Sequence, residues 1–283
     1  MKNLKYYFNK SQKEKWAIAQ FNFSTLEQLK AIIEANRRLK SPFILGTSEG
    51  EVGFLGVKEV IALVTLAKLK YKIPIFLNLD HAKNISLIKE AIDFGYDMVH
   101  FDGSLLPLED NIEKTKKIVA IAHKKNVLVE GELGIIKGES KFHTENIEVE
   151  KENLTSVSEL EKFIKKTKID ILAISIGNVH GIYRVMPHLD LDLLKKINQN
   201  TKIPLVLHGG SGILDNEIKE SIKLGITKIN FNTDLRIVWR NSLMENLRIM
   251  EDLKPYKILF SVQQDIEKKV EEKINLINSK NKL

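Results

Sequence analysis

The chain has 283 residues, 43% of them apolar and 29% charged, which suits a globular protein with one large domain. No apolar run reaches the ~18 residues of a membrane span, and the charged N-terminus lacks the apolar core and small-residue cleavage site of a secretory leader, so a cytoplasmic location is expected. Cysteine is absent, which excludes disulfides and thiolate metal sites and leaves only N and O ligands for any metal.

Forty-four Lys and Arg against 37 Asp and Glu give a net charge of +7 and a pI near 9.2. The basic residues are mostly Lys and are spread along the chain with no block of five. That is a solvated surface rather than a nucleic-acid footprint, so no nucleic-acid partner is expected. A mild positive field would still help recruit an anionic substrate.

Short β-branched runs alternate with longer segments of helical period. A strand at 16–21 is followed by a helix at 25–38, and one at 42–47 by a helix at 57–70. Strand 74–80 leads to helix 85–94, 97–101 to 109–124, 126–132 to 158–166, and 170–176 to 190–198. The last two units are strand 203–208 with helix 215–223 and strand 227–231 with helix 234–247. Eight strict βα units predict a parallel (β/α)8 barrel, an α/β TIM barrel, as one domain over 1–283. A doubly wound open sheet is the alternative.

Two stretches break this rhythm. Residues 134–156 form a long polar loop, of the kind that is functional or mobile. Residues 262–280 read as a charged amphipathic helix extending beyond the barrel. Its stripe of Val262, Ile266, Val270 and Ile274 needs a partner, for which a second subunit is the expectation.

Catalytic groups in such barrels lie at the C-terminal ends of strands. Here those ends carry Asn22, Ser48, Asp80-His81, Asp102-Gly103-Ser104, Glu132, Gly177-Asn178-Val179-His180-Gly181, His208-Gly209-Gly210-Ser211-Gly212, Asn230 and Asn232-Thr233-Asp234. Three histidines at equivalent ends, His81, His180 and His208, predict a metal site, and Zn2+ suits three imidazoles with an open fourth position. His100 in mid-strand, His123 at a helix end, and His143 and His188 in loops read as structural or surface residues. The glycine-rich run at 208–212 and the helix start at Asn232-Thr233 suit a phosphate, because backbone N–H groups can approach an anion there.

Taken together, Asp80-His81, Asp102-Gly103-Ser104, Glu132-Leu133-Gly134, the GNVHGIY run at 177–183, PLVLHGGSGI at 204–213 and KINFNTD at 228–234 resemble the class II, zinc-dependent fructose-bisphosphate aldolases, a family that includes tagatose-bisphosphate aldolases. The resemblance runs from about residue 15 to 247. It implies that His81, His180 and His208 hold Zn2+ and that Asp80 is the acid/base at the C4 oxygen during C3–C4 cleavage. Asp102 and Glu132 then lie at an alternate second metal position. The same resemblance assigns Gly181, Gly209, Ser211, Asn232 and Thr233 to the phosphate of dihydroxyacetone phosphate, with Asn230 at its reacting end and Asn22, Ser48, Arg184 and Gly210 also facing substrate. It further implies a monovalent cation near Gly177–Gly181 and a dimeric or tetrameric assembly.

Two departures stand out. Ser140 and Lys141 occupy the place of the family's acidic loop pair, leaving Glu139 or Glu145 as a replacement after a loop shift. Alternatively the enzyme is slow, or it has become a non-catalytic zinc- and sugar-phosphate-binding descendant. Tyr256 and Gln263 stand where arginines for the far phosphate are expected, which opens a different ketose phosphate or aldehyde partner. One rival chemistry is a Schiff base on Lys228. A buried ion pair is the preferred role for that lysine, because otherwise the three histidines have none.

Overall fold

The computed structural model describes residues 2–283. Its strands are β1 (Ile18–Asn22), β2 (Phe43–Ser48), β3 (Ile75–Ala82), β4 (Met98–Phe101), β5 (Leu128–Leu133), β6 (Gly138–Phe142), β7 (Ile171–Ile174), β8 (His180–Ile182), β9 (Leu205–Leu207) and β10 (Ile226–Phe231). All of them except β6 and β8 close into one parallel barrel, in the order β1-β2-β3-β4-β5-β7-β9-β10 and back to β1. The helices are α1 (Leu4–Glu14), α2 (Leu26–Leu39), α3 (Glu49–Leu55), α4 (Val57–Tyr71), α5 (Ile85–Phe94), α6 (Leu108–Ala122), α7 (Val157–Thr167), α8 (Leu191–Gln199), α9 (Asp215–Lys223), α10 (Thr233–Ile249) and α11 (Pro255–Leu276). The TIM barrel expected from the sequence is therefore present. Among the described residues no helix is long and apolar enough to cross a membrane.

Strand side chains alternate between the barrel interior and the helix layer. The outward set, including Phe21, Leu45, Leu79, Val99, Val129, Leu172, Leu207 and Ile229, builds the main apolar core under the helices. The inward set is layered. At the N-terminal end of the barrel, Ile18, Ile44, Phe76, Met98, Ile171 and Val206 pack with Trp16 and with Leu4, Tyr7 and Phe8 of α1. Helix α1 thus plugs the bottom of the barrel, an element that the sequence reading did not expect.

Two residues further along the strands the interior turns polar. Gln20, Asn78, His100, Glu130, His208 and Lys228 are fully buried. The next step carries Asn22, Ser48, Asp80, Glu132 and Asn230. Burying so many polar groups costs stability unless each is paired. Such a layer marks the end of the barrel that serves chemistry rather than packing.

Gly46 is where this polar layer is tightest. A Cβ there would lie 2.1 Å from Asn22 Oδ1 and 2.7 Å from Gln20 Nε2, and both side chains are held by other hydrogen bonds. Gly46→Ala is expected to destabilise the fold by about 1–3 kcal/mol through overpacking, read as a lower urea midpoint at an unchanged m-value.

The extra C-terminal helix exists but begins at Pro255, with proline at its first turn, and ends at Leu276 rather than spanning 262–280. Its apolar stripe already has a partner within the chain. Val262, Ile266, Val270 and Ile274 are fully buried where α11 packs on α2 and α10, so the expectation that this stripe forms a subunit contact is corrected.

Candidate metal centre and active site

A cavity of about 360 Å3 opens at the C-terminal end of the barrel. Its wall includes Asn22, Ser48, Asp80, His81, Lys83, Asp102, Glu139, Ser140, His180, His208, Gly209, Ser211, Asn230, Asn232, Thr233 and Arg236. A larger cavity, about 780 Å3, lies to one side between Ser104, Gly134, Lys151 and Asp190 and contains none of the histidines. From Asn22 to Thr233, strand-end residues more than 200 positions apart therefore meet in one mouth, while Ser104 faces the other cavity.

The ring of His81 lies 4.6 Å from that of His180 and 4.3 Å from that of His208, with 6.0 Å between the latter two. Asp80 and His81 are consecutive, so regular pleating would send them to opposite faces. The chain avoids this with a register shift between Leu79 and Ala82 and a left-handed backbone at His81, φ 50°. A bulge of this kind re-aims a side chain, and here it turns both groups into the cavity. At His81 this left-handed backbone falls on a ligand candidate, where strain is commonly tolerated. His180 is not at the end of β7, which stops at Ile174. It opens the short β8 and is positioned by its amide donating to Lys137 O (2.7 Å).

His208 follows β9 directly. Its Nε2 lies 2.6 Å from Glu130 Oε1, and Glu130 Oε2 accepts from Lys228 Nζ at 2.8 Å. With the proton on Nε2 facing a carboxylate, Nδ1 is the acceptor, and here it accepts from Asn230 Nδ2 at 3.1 Å, a bond that a metal on Nδ1 would replace. Lys228 is thus the fully buried ion-pair partner preferred from the sequence, outside the cavity wall.

His100, read from the sequence as merely structural, belongs to the cluster. Its ring is 4.6 Å from that of His81 and 4.9 Å from that of His208. The His81 amide donates to its Nδ1 at 3.1 Å, which leaves its own proton on Nε2, 3.2 Å from Glu132 Oε2. The inward parity it shares with Met98 was the available signal.

Charge at the site is strongly mixed. Burial alone would raise the Asp80 carboxyl, but His81, His100, His208 and Lys228 hold it well below the usual carboxylate range. Asp102 is likewise held down against its burial by His81, His100 and Ser104. His180 is pushed well below the ordinary histidine value by burial, with His81 and His208 adding repulsion. His208 falls to about 4, chiefly through burial and then through His81, with Glu130 opposing. His81 moves the other way, raised against its burial by Asp80, Asp102 and Glu132, and His100 is raised against its burial to about 10 by Glu130, Asp80 and Glu132. Ionised carboxylates thus neighbour both neutral and cationic imidazoles, and a metal on His81 would displace its proton.

The fit to a cation rests on unpartnered donors. Buried His81 Nε2 has no hydrogen-bond partner, and Glu132 Oε2 meets His100 Nε2 at 3.2 Å without hydrogen-bond geometry. Two groups place their ligand atoms within 4.8 Å of one another: Asp80, His81, His100 and His208, and His81, Asp102 and Glu132. His81 Nδ1 is 3.7 Å from both Asp102 and Glu132, so these carboxylates flank the histidines as the alternate-position idea requires. An all-N/O donor set of this size accommodates a divalent ion.

Asp80 is held from both sides. Asn22 Nδ2 donates to Oδ2 at 3.0 Å and Asn230 Nδ2 to Oδ1 at 3.1 Å. On the opposite wall, Ser211 Oγ accepts from the Asp234 amide at 3.1 Å, so the glycine-rich turn is tied to the N-terminus of α10, where free N–H groups favour an anion.

Some expected residues lie elsewhere. Arg184 sits on an exposed turn, and it, Gly181 and Gly210 do not line the cavity. Glu139 lines it, but its carboxylate is 75% exposed and pairs with Lys141 at 2.9 Å; Glu145 contacts His143 instead. Tyr256, Gln263, Lys254 and Lys257 are also absent from the wall, and Lys257 pairs with Asp252. The long-chain cations that do line it are Lys83 and Arg236, neither expected from the sequence. The 134–156 loop is not featureless, because β6 pairs in parallel with β8 and His143 stacks on Tyr183 at 4.1 Å.

Comparison with known proteins agrees with this geometry. The family model described as "Fructose-bisphosphate aldolase class-II" matches residues 2–282. A fructose-bisphosphate aldolase from Mycoplasma genitalium is 38% identical, with 99% of each chain covered. A 6-phospho-5-dehydro-2-deoxy-D-gluconate aldolase from Shouchella clausii is 36% identical over 93% of this chain and 90% of that protein. The crystal structure of the YdjI aldolase from Escherichia coli K12 superposes with a TM-score of 0.85 at 29% identity, covering 99% of this chain and 98% of the other. The chain therefore belongs to the class II fructose-bisphosphate aldolase family, whose members are metal-dependent lyases acting on phosphorylated sugars.

Proposed function

We propose that this protein cleaves, and in reverse condenses, a ketose bisphosphate, with fructose 1,6-bisphosphate giving dihydroxyacetone phosphate and glyceraldehyde 3-phosphate as in glycolysis. The observation that carries this reading is the convergence of His81, His180 and His208 beside a doubly held Asp80 in one cavity. Those three histidines would hold Zn2+, with Asp102 and Glu132 as an alternate position. When bound, such an ion supplies Lewis-acid stabilisation of the negative charge that aldol cleavage leaves on the three-carbon fragment.

The chain's own groups supply the rest. Asp80, kept ionised and oriented by Asn22 and Asn230, takes the proton from the C4 hydroxyl in cleavage and returns it in condensation. Gly209, Ser211, Asn232 and Thr233, at the mouth of α10, hold a phosphate and thereby fix the reacting carbons near Asp80. Gly181 and Gly210 act from behind this wall by letting the backbone pack closely; a Cβ at Gly181 would meet Glu139 O at 2.4 Å. Ser48 lines the same mouth. Arg184 would reach substrate only after a rearrangement of its turn, and the Glu139 carboxylate only by releasing Lys141. A monovalent cation near Gly177–Gly181 and a homo-oligomeric, cytoplasmic enzyme complete the reading, with assembly using a surface other than the α11 stripe.

A second reading, cleavage of another ketose phosphate, is favoured by one observation: no residue of α11 reaches the cavity to bind a second phosphate. A non-catalytic descendant is the outcome if the loop cannot supply its proton step. Cleavage assays on fructose 1,6-bisphosphate, tagatose 1,6-bisphosphate, fructose 1-phosphate and 6-phospho-5-dehydro-2-deoxy-D-gluconate separate the three. Activity on the first substrate, lost in EDTA and restored by Zn2+, is the expected result. Cleavage that survives exhaustive chelation sinks the metal mechanism, and no cleavage of any substrate sinks the catalytic reading.

A further inference from the structure

Arg236 lies in the first turns of α10 and lines the cavity, yet its guanidinium is already committed. Nη2 donates to Glu51 Oε1 at 2.8 Å, and Nη1 donates to Ser140 O at 3.3 Å. Glu51 is 6% exposed. Its other oxygen accepts from the Ser48 amide at 2.8 Å and from Asn22 Nδ2 at 3.0 Å. The same Asn22 Nδ2 gives its second hydrogen to Asp80 Oδ2 at 3.0 Å. One continuous path thus runs from the β6 loop through Arg236, Glu51 and Asn22 to Asp80.

We propose that Glu51 and Arg236 are positioning residues that hold the β6 loop over the cavity and fix the Asn22 amide so that its NH2 faces Asp80. This rests on the aldolase reading above. The chemistry of the path sets its direction. An amide has one acceptor and two donor hydrogens. Asn22 Oδ1 is taken by Gln20 Nε2 at 3.1 Å, so both of its hydrogens must find acceptors, and the two carboxylates are the ones present. Flipping that amide would aim an oxygen at two carboxylates. Glu51 therefore does more than cap α3 in its box with Ser48: it reads out the Asn22 orientation. Arg236 supplies the countercharge that lets a second buried carboxylate sit one amide away from Asp80. An ordinary half-exposed ion pair contributes little. This one differs because the acid is buried and has three donors.

The path also accounts for the loop. Ser140 brings no carboxylate, but its backbone carbonyl takes part in holding β6, which pairs with the strand that begins at His180. The loop is thereby tethered at two points next to the substrate cavity.

The test compares Glu51→Gln, which keeps an acceptor for the α3 cap, with Arg236→Gln and Arg236→Lys, and with the Glu51→Gln/Arg236→Gln double variant. Steady-state kinetics on the substrate that the wild type cleaves are read together with hydrogen exchange over residues 137–143. The expected result is about a tenfold loss of kcat in each single Gln variant, the scale of a small misplacement of a catalytic group, with KM changed less than twofold. The double variant should be no slower than the worse single one, Arg236→Lys should recover part of the rate, and exchange in the loop should quicken. A tenfold rise in KM at unchanged kcat would mean that Arg236 binds the substrate anion itself and would overturn the proposal. Losses that multiply in the double variant, or unchanged loop exchange, would also overturn it. If the wild type cleaves nothing but the loop still exchanges faster in the variants, the aldolase reading fails and the tether stands.

Discussion

Replacing His81 by asparagine is expected to empty the metal centre and reduce cleavage of the ketose bisphosphate by about 10^3-fold or more, the scale of several kcal/mol of lost charge stabilisation. Asparagine is the informative substitute. His81 adopts φ 50°, a conformation that asparagine tolerates far better than alanine, so loss of the imidazole is separated from backbone strain. The large effect follows from the position of His81, whose ring adjoins His100, His180 and His208 and whose Nδ1 faces Asp102 and Glu132. Metal content by plasma emission, kcat/KM, and a thermal melt that verifies folding are the measurements. A variant that retains both metal and full activity would remove His81 from the centre.

Cutting the ion pair beneath the site should be the largest effect on stability. Lys228→Ala leaves the fully buried Glu130 without its lysine and with only His208 on its other oxygen, and removing one member of a buried pair typically costs about 3–5 kcal/mol. The Lys228→Met/Glu130→Gln double variant should recover much of this, because no isolated charge remains. Urea denaturation of the three proteins reads the difference, and a Lys228→Ala cost below about 1 kcal/mol would show that the pair is not structural. The pH dependence has a definite sign. Lys228, His100 and His208 hold Glu130 below the usual carboxylate range despite its burial. The pair's contribution is therefore complete above the unfolded carboxyl pKa of about 4.3 and is lost as pH falls through the lower folded value. The double variant, which lacks the titrating carboxyl, should lose that acid-side dependence. Borohydride with substrate should trap nothing on Lys228, since a lysine sealed beneath the cavity cannot reach a carbonyl.

Much of this architecture was legible in local pattern. The inward positions of β1, β3, β5 and β10 read apolar, polar, polar in steps of two, as in Ile18, Gln20, Asn22 and Phe76, Asn78, Asp80. The same period that predicts a strand also predicts which side chains share the mouth. Helix α9 was placed at its observed ends because Leu214 and Lys223 bracket a clear amphipathic stretch. Helix α1 was missed because Tyr7 and Phe8 have no visible partner in a polar segment; their partner is the open bottom of a barrel that exists only after closure. Strands β6 and β8 were missed for a similar reason, since Gly138–Phe142 has no apolar run and is held by pairing with a segment some forty residues away.

The amino-acid sequence by itself determined the barrel class, the N/O character of the metal ligands and the identity of the residues at the strand ends, because periodicity, turn chemistry and side-chain type are local properties. Only the tertiary structure decided which of those residues meet. Barrel closure and strand register bring His81, His180 and His208 together and add His100. The bulge at His81 puts two consecutive residues into one cavity. Packing of α11 on α2 and α10 consumes the stripe that had suggested a subunit contact, and the reach of Arg236 to Glu51 places a cation at the mouth while Arg184 stays outside. Each of these depends on distances between residues remote in sequence, which the folded chain sets and no local pattern encodes.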